Sequence, residues 1–168
     1  MIVRASIAVA CAALALLQGC AGYAIESSYD TDIQSLHLPI FDNTTFIYGI
    51  EAELTEAIAK EIHRSTPWRV TSNRAADTSL RGAITSVEKR ELSSDGVTGL
   101  VQELATVITV SFEWTDARTG EVRVARQGFS VAEPFAPLLG AQERPETGEA
   151  SAVDRLARDI VAELRSGW

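Results

Sequence analysis

The chain has 168 residues, with 23 acidic against 15 basic side chains and a formal net charge of −8. That balance argues against nucleic acid as a partner, which requires a basic footprint to release phosphate counterions. It also argues against a strong general attraction to anionic lipid, while leaving local basic patches open.

Arg4, an apolar run from Ala5 to Leu17 and then Leu17-Gln18-Gly19-Cys20 read as a signal peptide over residues 1–19. The run is shorter than the roughly 20 apolar residues that a spanning helix needs. Cys20, directly after a Leu-x-Gly triplet, resembles the bacterial lipobox, in which the cysteine is acylated through its sulfur and becomes the mature N-terminus. An ordinary cleaved signal with a coincidental cysteine is the plainer alternative. Cys11 leaves with the signal, so no cysteine pair remains for a disulfide or a thiolate metal site. Acylation of Cys20 would also remove a lone thiol from an oxidising compartment. Ala21 stands where an aspartate would resemble an inner-membrane retention signal, which favours the outer membrane by analogy with Gram-negative lipoproteins.

Residues 20–32 are expected to form the lipidated N-terminus and a small, polar tether, and 33–168 a single domain. The mature chain, about 148 residues, is long enough for one real core. Ile33 to Ile40 has strand-like apolar content, which Pro39 ends or places at an edge. Phe41-Asp42-Asn43-Thr44-Thr45 reads as a turn whose side chains satisfy their own backbone. From Gly49 to His63, the residues Ile50, Leu54, Ala57, Ile58 and Ile62 make one helical stripe, and Pro67 prevents continuation. Acidic residues crowd the first half of that helix and basic ones the second, complementing its dipole.

Trp68 to Ser72 predicts a short strand and Leu80 to Leu92 a longer one. Ser93-Ser94-Asp95-Gly96 supplies turn chemistry, so Ser94 to Gly99 is either a projecting recognition loop or a plain hairpin tip. In the next strand Thr106, Ile108, Val110, Phe112 and Trp114 alternate with mostly polar neighbours, so one face is buried. The turn Asp116-Ala117-Arg118-Thr119-Gly120 leads into Glu121 to Val131, making a long antiparallel hairpin with a bulge near Gly128. Ala132 to Gly148, with Pro134, Pro137 and Pro145, reads as a loop or covering segment. Ser151 to Ser166 then forms a second amphipathic helix. The order β-α-β-β-β-α predicts an α+β fold, a two-layer sandwich with two helices packed on one face of a four-stranded mixed sheet.

Nothing in this pattern announces catalysis. His37 and His63 show no metal-ligand spacing, and Glu51, Glu53, Glu56 and Glu61 read as a solvated helix face. A phosphate loop, a nucleophile elbow and a zinc signature are all missing from the sequence. No catalytic residue, metal ligand or cofactor is therefore expected beyond a covalent lipid on Cys20. Trp114 belongs to the buried face, whereas Trp168 at the chain end is either an anchor or a frayed terminus.

The lipobox together with Leu38-Pro39-Ile40-Phe41-Asp42-Asn43-Thr44-Thr45-Phe46, Gly49-Ile50-Glu51-Ala52-Glu53-Leu54-Thr55-Glu56-Ala57 and Ala76-Asp77-Thr78-Ser79-Leu80-Arg81-Gly82 resembles the lipopolysaccharide-assembly lipoprotein family, LptE. That family's pattern is a strand ending in Pro-Ile/Val-Phe-x-Asn, a Leu-Thr-Glu-Ala helix and an Ala-Asp-x-x-Leu-x-Gly strand. The likeness runs from about Ile33 to Trp114, and the terminal helix agrees in kind. It implies a non-enzymatic outer-membrane lipoprotein on the periplasmic face. Such a protein sits within an LptD-type β-barrel, helps the barrel assemble and assists delivery of lipopolysaccharide to the cell surface. It also implies lipopolysaccharide contact through basic residues, for which Arg81, Lys89, Arg90, Arg123 and Arg126 are the strand-borne candidates. Ordinary solvated strand faces account for the same five. Another envelope lipoprotein, a secretion-channel subunit or a cell-wall synthase activator, shares the Pro-x-Phe-x-Asn-x-Thr start and is the competing assignment.

Overall fold

Residues 33–94, 96–97, 101–135 and 145–166 are described in the computed structural model. The expected signal over 1–19, Cys20, the tether, Gly99 and Trp168 lie outside the described residues. The elements in chain order are β1 (Ser35–His37), β2 (Asp42–Asn43), α1 (Ile50–Ser65), β3 (Arg69–Thr71), β4 (Thr78–Ser94), β5 (Val101–Asp116), β6 (Val122–Phe135) and α2 (Pro145–Ser166).

The periodicities of α1 and β5 organise the core. Along α1 the side chains of Ile50, Leu54, Ile58 and Ile62, one turn apart, are buried. The helix starts at Gly49, whose φ of 95° is one that a side chain would strain, and ends where Thr66 returns its N–H to Ile62 O. Along β5 every second residue from Thr106 to Asp116 is buried. Ile108, Val110, Phe112 and Trp114 among them, with Leu80 and Ile84 of β4 and Val124 and Val131 of β6, form a floor under the helices. Leu156, Ile160 and Leu164 of α2 join the α1 stripe above it.

The sheet runs β3-β1-β4-β5-β6, with β1 parallel to β3 and β4, and the other two pairs antiparallel. The expected α+β sandwich is therefore present, with more strands than the expected four. Asp42–Asn43, read as a turn, pairs parallel to β4 at Ala83 and Ile84, while β1 pairs with β4 at Thr78 and Ser79. β1 and β2 are two pieces of one interrupted strand, separated by Pro39, whose ring fixes φ and removes a donor. The segment read as a loop from Ala132 to Gly148 is shorter: β6 continues to Phe135 and α2 begins at Pro145. The bulge near Gly128 is present. The register shifts opposite Val110 and Phe112, and Gly128 has a φ of 65°.

Gly82 is the tightest point of the sheet. A Cβ there would sit 2.3 Å from Phe41 Cε1 and 2.8 Å from the Ser111 carbonyl oxygen. Gly82→Ala is therefore expected to cost about 1–3 kcal/mol through overpacking, read as a lower denaturant midpoint. An unchanged midpoint would mean that the Phe41 ring swings aside without loss.

The β5–β6 turn is held by Asp116. Its Oδ1 accepts the backbone N–H of Arg118 at 2.9 Å and of Thr119 at 3.1 Å, and Arg123 donates to Oδ2 at 3.1 Å. The Thr119 and Arg118 amides, then Arg123, lower the Asp116 pKa from 3.8 to about 2. A depressed carboxylate stabilises the fold above its unfolded pKa and loses that contribution as pH falls through its folded one. Between about pH 4 and pH 2 the melting temperature of the native protein should therefore fall more steeply than that of Asp116→Asn. Parallel curves would remove Asp116 from the acid transition.

Candidate binding surfaces

The five candidate basic residues do not gather on one surface. Arg123 pairs with Asp116, and its guanidinium carbon lies 5.7 Å from the Trp114 ring centroid. Arg126 meets Glu163 of α2 at 2.6 Å. Both arginines thus tie β6 to the rest of the domain. Arg81, Lys89 and Arg90 are exposed. Arg81 stands opposite Glu113, between pairs that put Trp114 and Phe112 in the core, so it lies on the face away from the helices. Lys89 pairs with Thr106 on the helix side and Arg90 with Ala105 on the other. Arg81 and Arg90 share the open face but are separated by about 27 Å of strand.

The interruption between β1 and β2 makes a hollow. Where Pro39 and Ile40 leave β4, a space of about 250 Å³ opens, lined by His37, Pro39, Ile40, Asp42, Arg74, Arg81 and Gly82. Among the described residues, neither Arg74 nor Arg81 reaches a carboxylate at ion-pair distance, in contrast to Arg64, Arg123, Arg126 and Arg155. His37 Nδ1 lies 3.3 Å from the Thr71 carbonyl oxygen. A carbonyl can only accept, which assigns the proton to Nδ1 and leaves Nε2 for other contacts. Two free guanidinium groups in one recess can grip a phosphate or carboxylate bidentately, and Asp42 opposes that charge. Arg74 carries no strand signal in the sequence, since it lies in the polar loop between β3 and β4. Among the described residues no group of three or more His, Cys, Asp or Glu could hold a metal ion. No described helix is long and apolar enough to cross a membrane.

A family model described as LptE, lipopolysaccharide-assembly, matches residues 33–164, which covers the sheet and nearly all of both helices. The chain belongs to the LptE family. Among curated proteins none matches it. A hypothetical protein from Chlamydia trachomatis is similar in structure, with 13% identity, a TM-score of 0.52, and 79% of this chain and 96% of that one covered. An uncharacterized lipoprotein B from Nitrosomonas europaea has 18% identity, a TM-score of 0.50, and 80% and 86% covered. At such identities the likeness is one of fold.

The residues that carry the LptE resemblance line the side of β4 that pairs with β1 and β2. Phe41 is buried and packs over Gly82, joining the Pro-Ile-Phe-x-Asn segment to the Leu-x-Gly strand. Asn43 knits the loop that leads into α1. Asp77 Oδ2 accepts the Ser35 hydroxyl at 2.8 Å and the Gln34 and Ser35 amides at 3.1 and 2.9 Å. The Ser35 hydroxyl, then the Gln34 amide, hold the Asp77 carboxyl below its ordinary range. These motif residues shape the fold that any partner meets.

Proposed function

We propose that this LptE-family protein is a lipid-anchored component of the outer-membrane lipopolysaccharide translocon. Acylated at Cys20 and facing the periplasm, it binds and plugs an LptD-type β-barrel, helps that barrel assemble, and assists passage of lipopolysaccharide to the surface. It works by binding, without catalysis and without a cofactor other than its covalent lipid. The observation that carries this reading is the family match across residues 33–164. The anchor would raise the local concentration of the domain beside a barrel in the same membrane. Contact with lipopolysaccharide phosphate is assigned to the hollow, through Arg74 and Arg81, since Arg123 and Arg126 already hold carboxylates.

Affinity purification of the full chain from detergent-solubilised membranes of cells fed labelled palmitate tests this function. The expected eluate contains labelled protein, a large outer-membrane barrel and lipopolysaccharide. Cys20→Ala abolishes the label, and Arg74→Ser with Arg81→Ser lowers the lipopolysaccharide recovered. Labelled protein free of any barrel would overturn the translocon assignment.

A further inference from the structure

The loop between β2 and α1 presents two aromatic side chains to solvent, Phe46 at 93% and Tyr48 at 89% exposure. Between them Ile47 turns inward and packs against the core. The backbone that carries them is locked without their help. Asn43 Oδ1 accepts the Thr45 amide at 2.8 Å and the Thr45 hydroxyl at 2.7 Å. Asn43 Nδ2 donates to the Ile47 carbonyl at 2.7 Å and to Glu51 Oε2 at 2.8 Å, and that carboxylate also accepts the Gly49 amide at 3.1 Å. The Thr44 amide and hydroxyl both donate to the Ile84 carbonyl, at 3.0 and 2.9 Å. The loop is thus ordered before any partner arrives, and its two aromatics contribute little to the folded core. A rigid scaffold carrying unburied aromatics is the form of a binding hot spot, because little ordering entropy remains to be lost on docking.

Charge selects the occupant. At one end of the loop Asp42 faces Arg74 and Arg81 in the hollow. At the α1 end every charged side chain up to Glu56 is acidic (Glu51, Glu53 and Glu56), and the first cation beyond them along the helix is Lys60. A lipid surface bearing phosphates would repel that rim, and the loop has none of the Lys or Arg that interfacial anchors use. A second copy docked about a two-fold axis would set the acidic rim against itself. The described chain begins at Ile33, just before β1 at the Thr78 end of β4, about 20 Å along the strand from the loop's attachment at Ile84. A chain acylated at Cys20, as proposed above, would join the fold at that end, away from the aromatics.

We infer that Phe46 and Tyr48 form a preorganised anchor for a protein partner, filling an apolar recess with a cationic rim on the β-barrel of the function proposed above, on which this inference rests. Each ring buries roughly 150–250 Å² on insertion. Phe46→Ala with Tyr48→Ala should weaken the complex by at least about 30-fold, as expected for two hot-spot aromatics. Glu53→Lys should weaken it more at low than at high ionic strength.

The experiment uses the full lipidated chain in cells, with a photo-crosslinking amino acid at position 46 or 48, and at exposed Val122 on β6 as a control. Adducts with the barrel in higher yield from 46 and 48 than from 122, together with barrel loss in the double alanine variant, are the expected result, and equal or lower yield from 46 and 48 overturns the inference. The melting temperature of that variant should match the native one, since both rings are exposed. Adducts only with lipid or with a second copy overturn the inference. So does a double variant that retains the barrel at native affinity while native protein co-purifies with it; the translocon function then stands. If native protein brings down no barrel, the function itself fails and the anchor falls with it.

Discussion

Ile58→Asp is expected to leave no cooperatively folded domain near neutral pH. Ile58 is fully buried, on the α1 stripe with Leu54 and Ile62 on either side. The substitution removes roughly 2–3 kcal/mol of apolar burial. It also drives a carboxyl group into a site with no designed partner, which costs several kcal/mol more even when the group takes up a proton. Together these approach the whole stability of an ordinary domain, about 5–15 kcal/mol. Far-UV circular dichroism during heating reads the outcome. Lys60→Asp, on an exposed position two residues on, should stay within about 0.5 kcal/mol of native. Ile58→Val should lose only about 0.5–1.5 kcal/mol. An aspartate variant melting within a few degrees of native would show that the stripe does not face the core.

The same stripe shows why much of this fold is legible in its sequence. Ile50, Leu54, Ile58 and Ile62 recur at one helical turn, and Thr106 to Trp114 alternate with a period of two, so each element names its own buried face. The Asp116 turn and the Gly128 bulge are equally local, because hydrogen bonds within a few residues and a positive φ define them. What escaped depends on distant partners. Asp and Asn are depleted in strands, and Asp42–Asn43 becomes one only by lying against Ala83 and Ile84. Pro134 signals a break, yet β6 is an outer strand of the sheet, where proline is tolerated. Pro145 also reads as a breaker, but at the first residue of α2 its missing N–H costs nothing. Gly148 lies inside α2 because a Cβ there would come 2.8 Å from the Phe135 ring. The basic patch follows the same rule. Arg126 has its carboxylate on another element, Glu163, and no local pattern could reveal that pairing.

Trp114→Ala should be the most damaging truncation in the sheet, at about 3–5 kcal/mol. Trp114 is fully buried, stands opposite Leu80 and Val124 on either side, and lies 5.2 Å from Trp68 between ring centroids. Removing the indole opens a cavity that these neighbours, held by two strand ladders, can only partly close. It also takes away the ring over which Arg123 sits, so the Arg123–Asp116 pair loses one wall of its setting. The effect should therefore reach the β5–β6 turn, and the acid sensitivity assigned to Asp116 should change along with the overall stability. Chemical denaturation followed by far-UV circular dichroism gives the size of the loss. A double-mutant cycle with Trp68→Ala isolates the aromatic pair, for which a coupling of about 0.5–1.5 kcal/mol is expected. A cycle that closes to zero would reduce Trp68 and Trp114 to independent fillers of one core. A large coupling would instead mean that β5 and the start of β3 are clamped by a single aromatic contact, on the same side of the sheet as the helices.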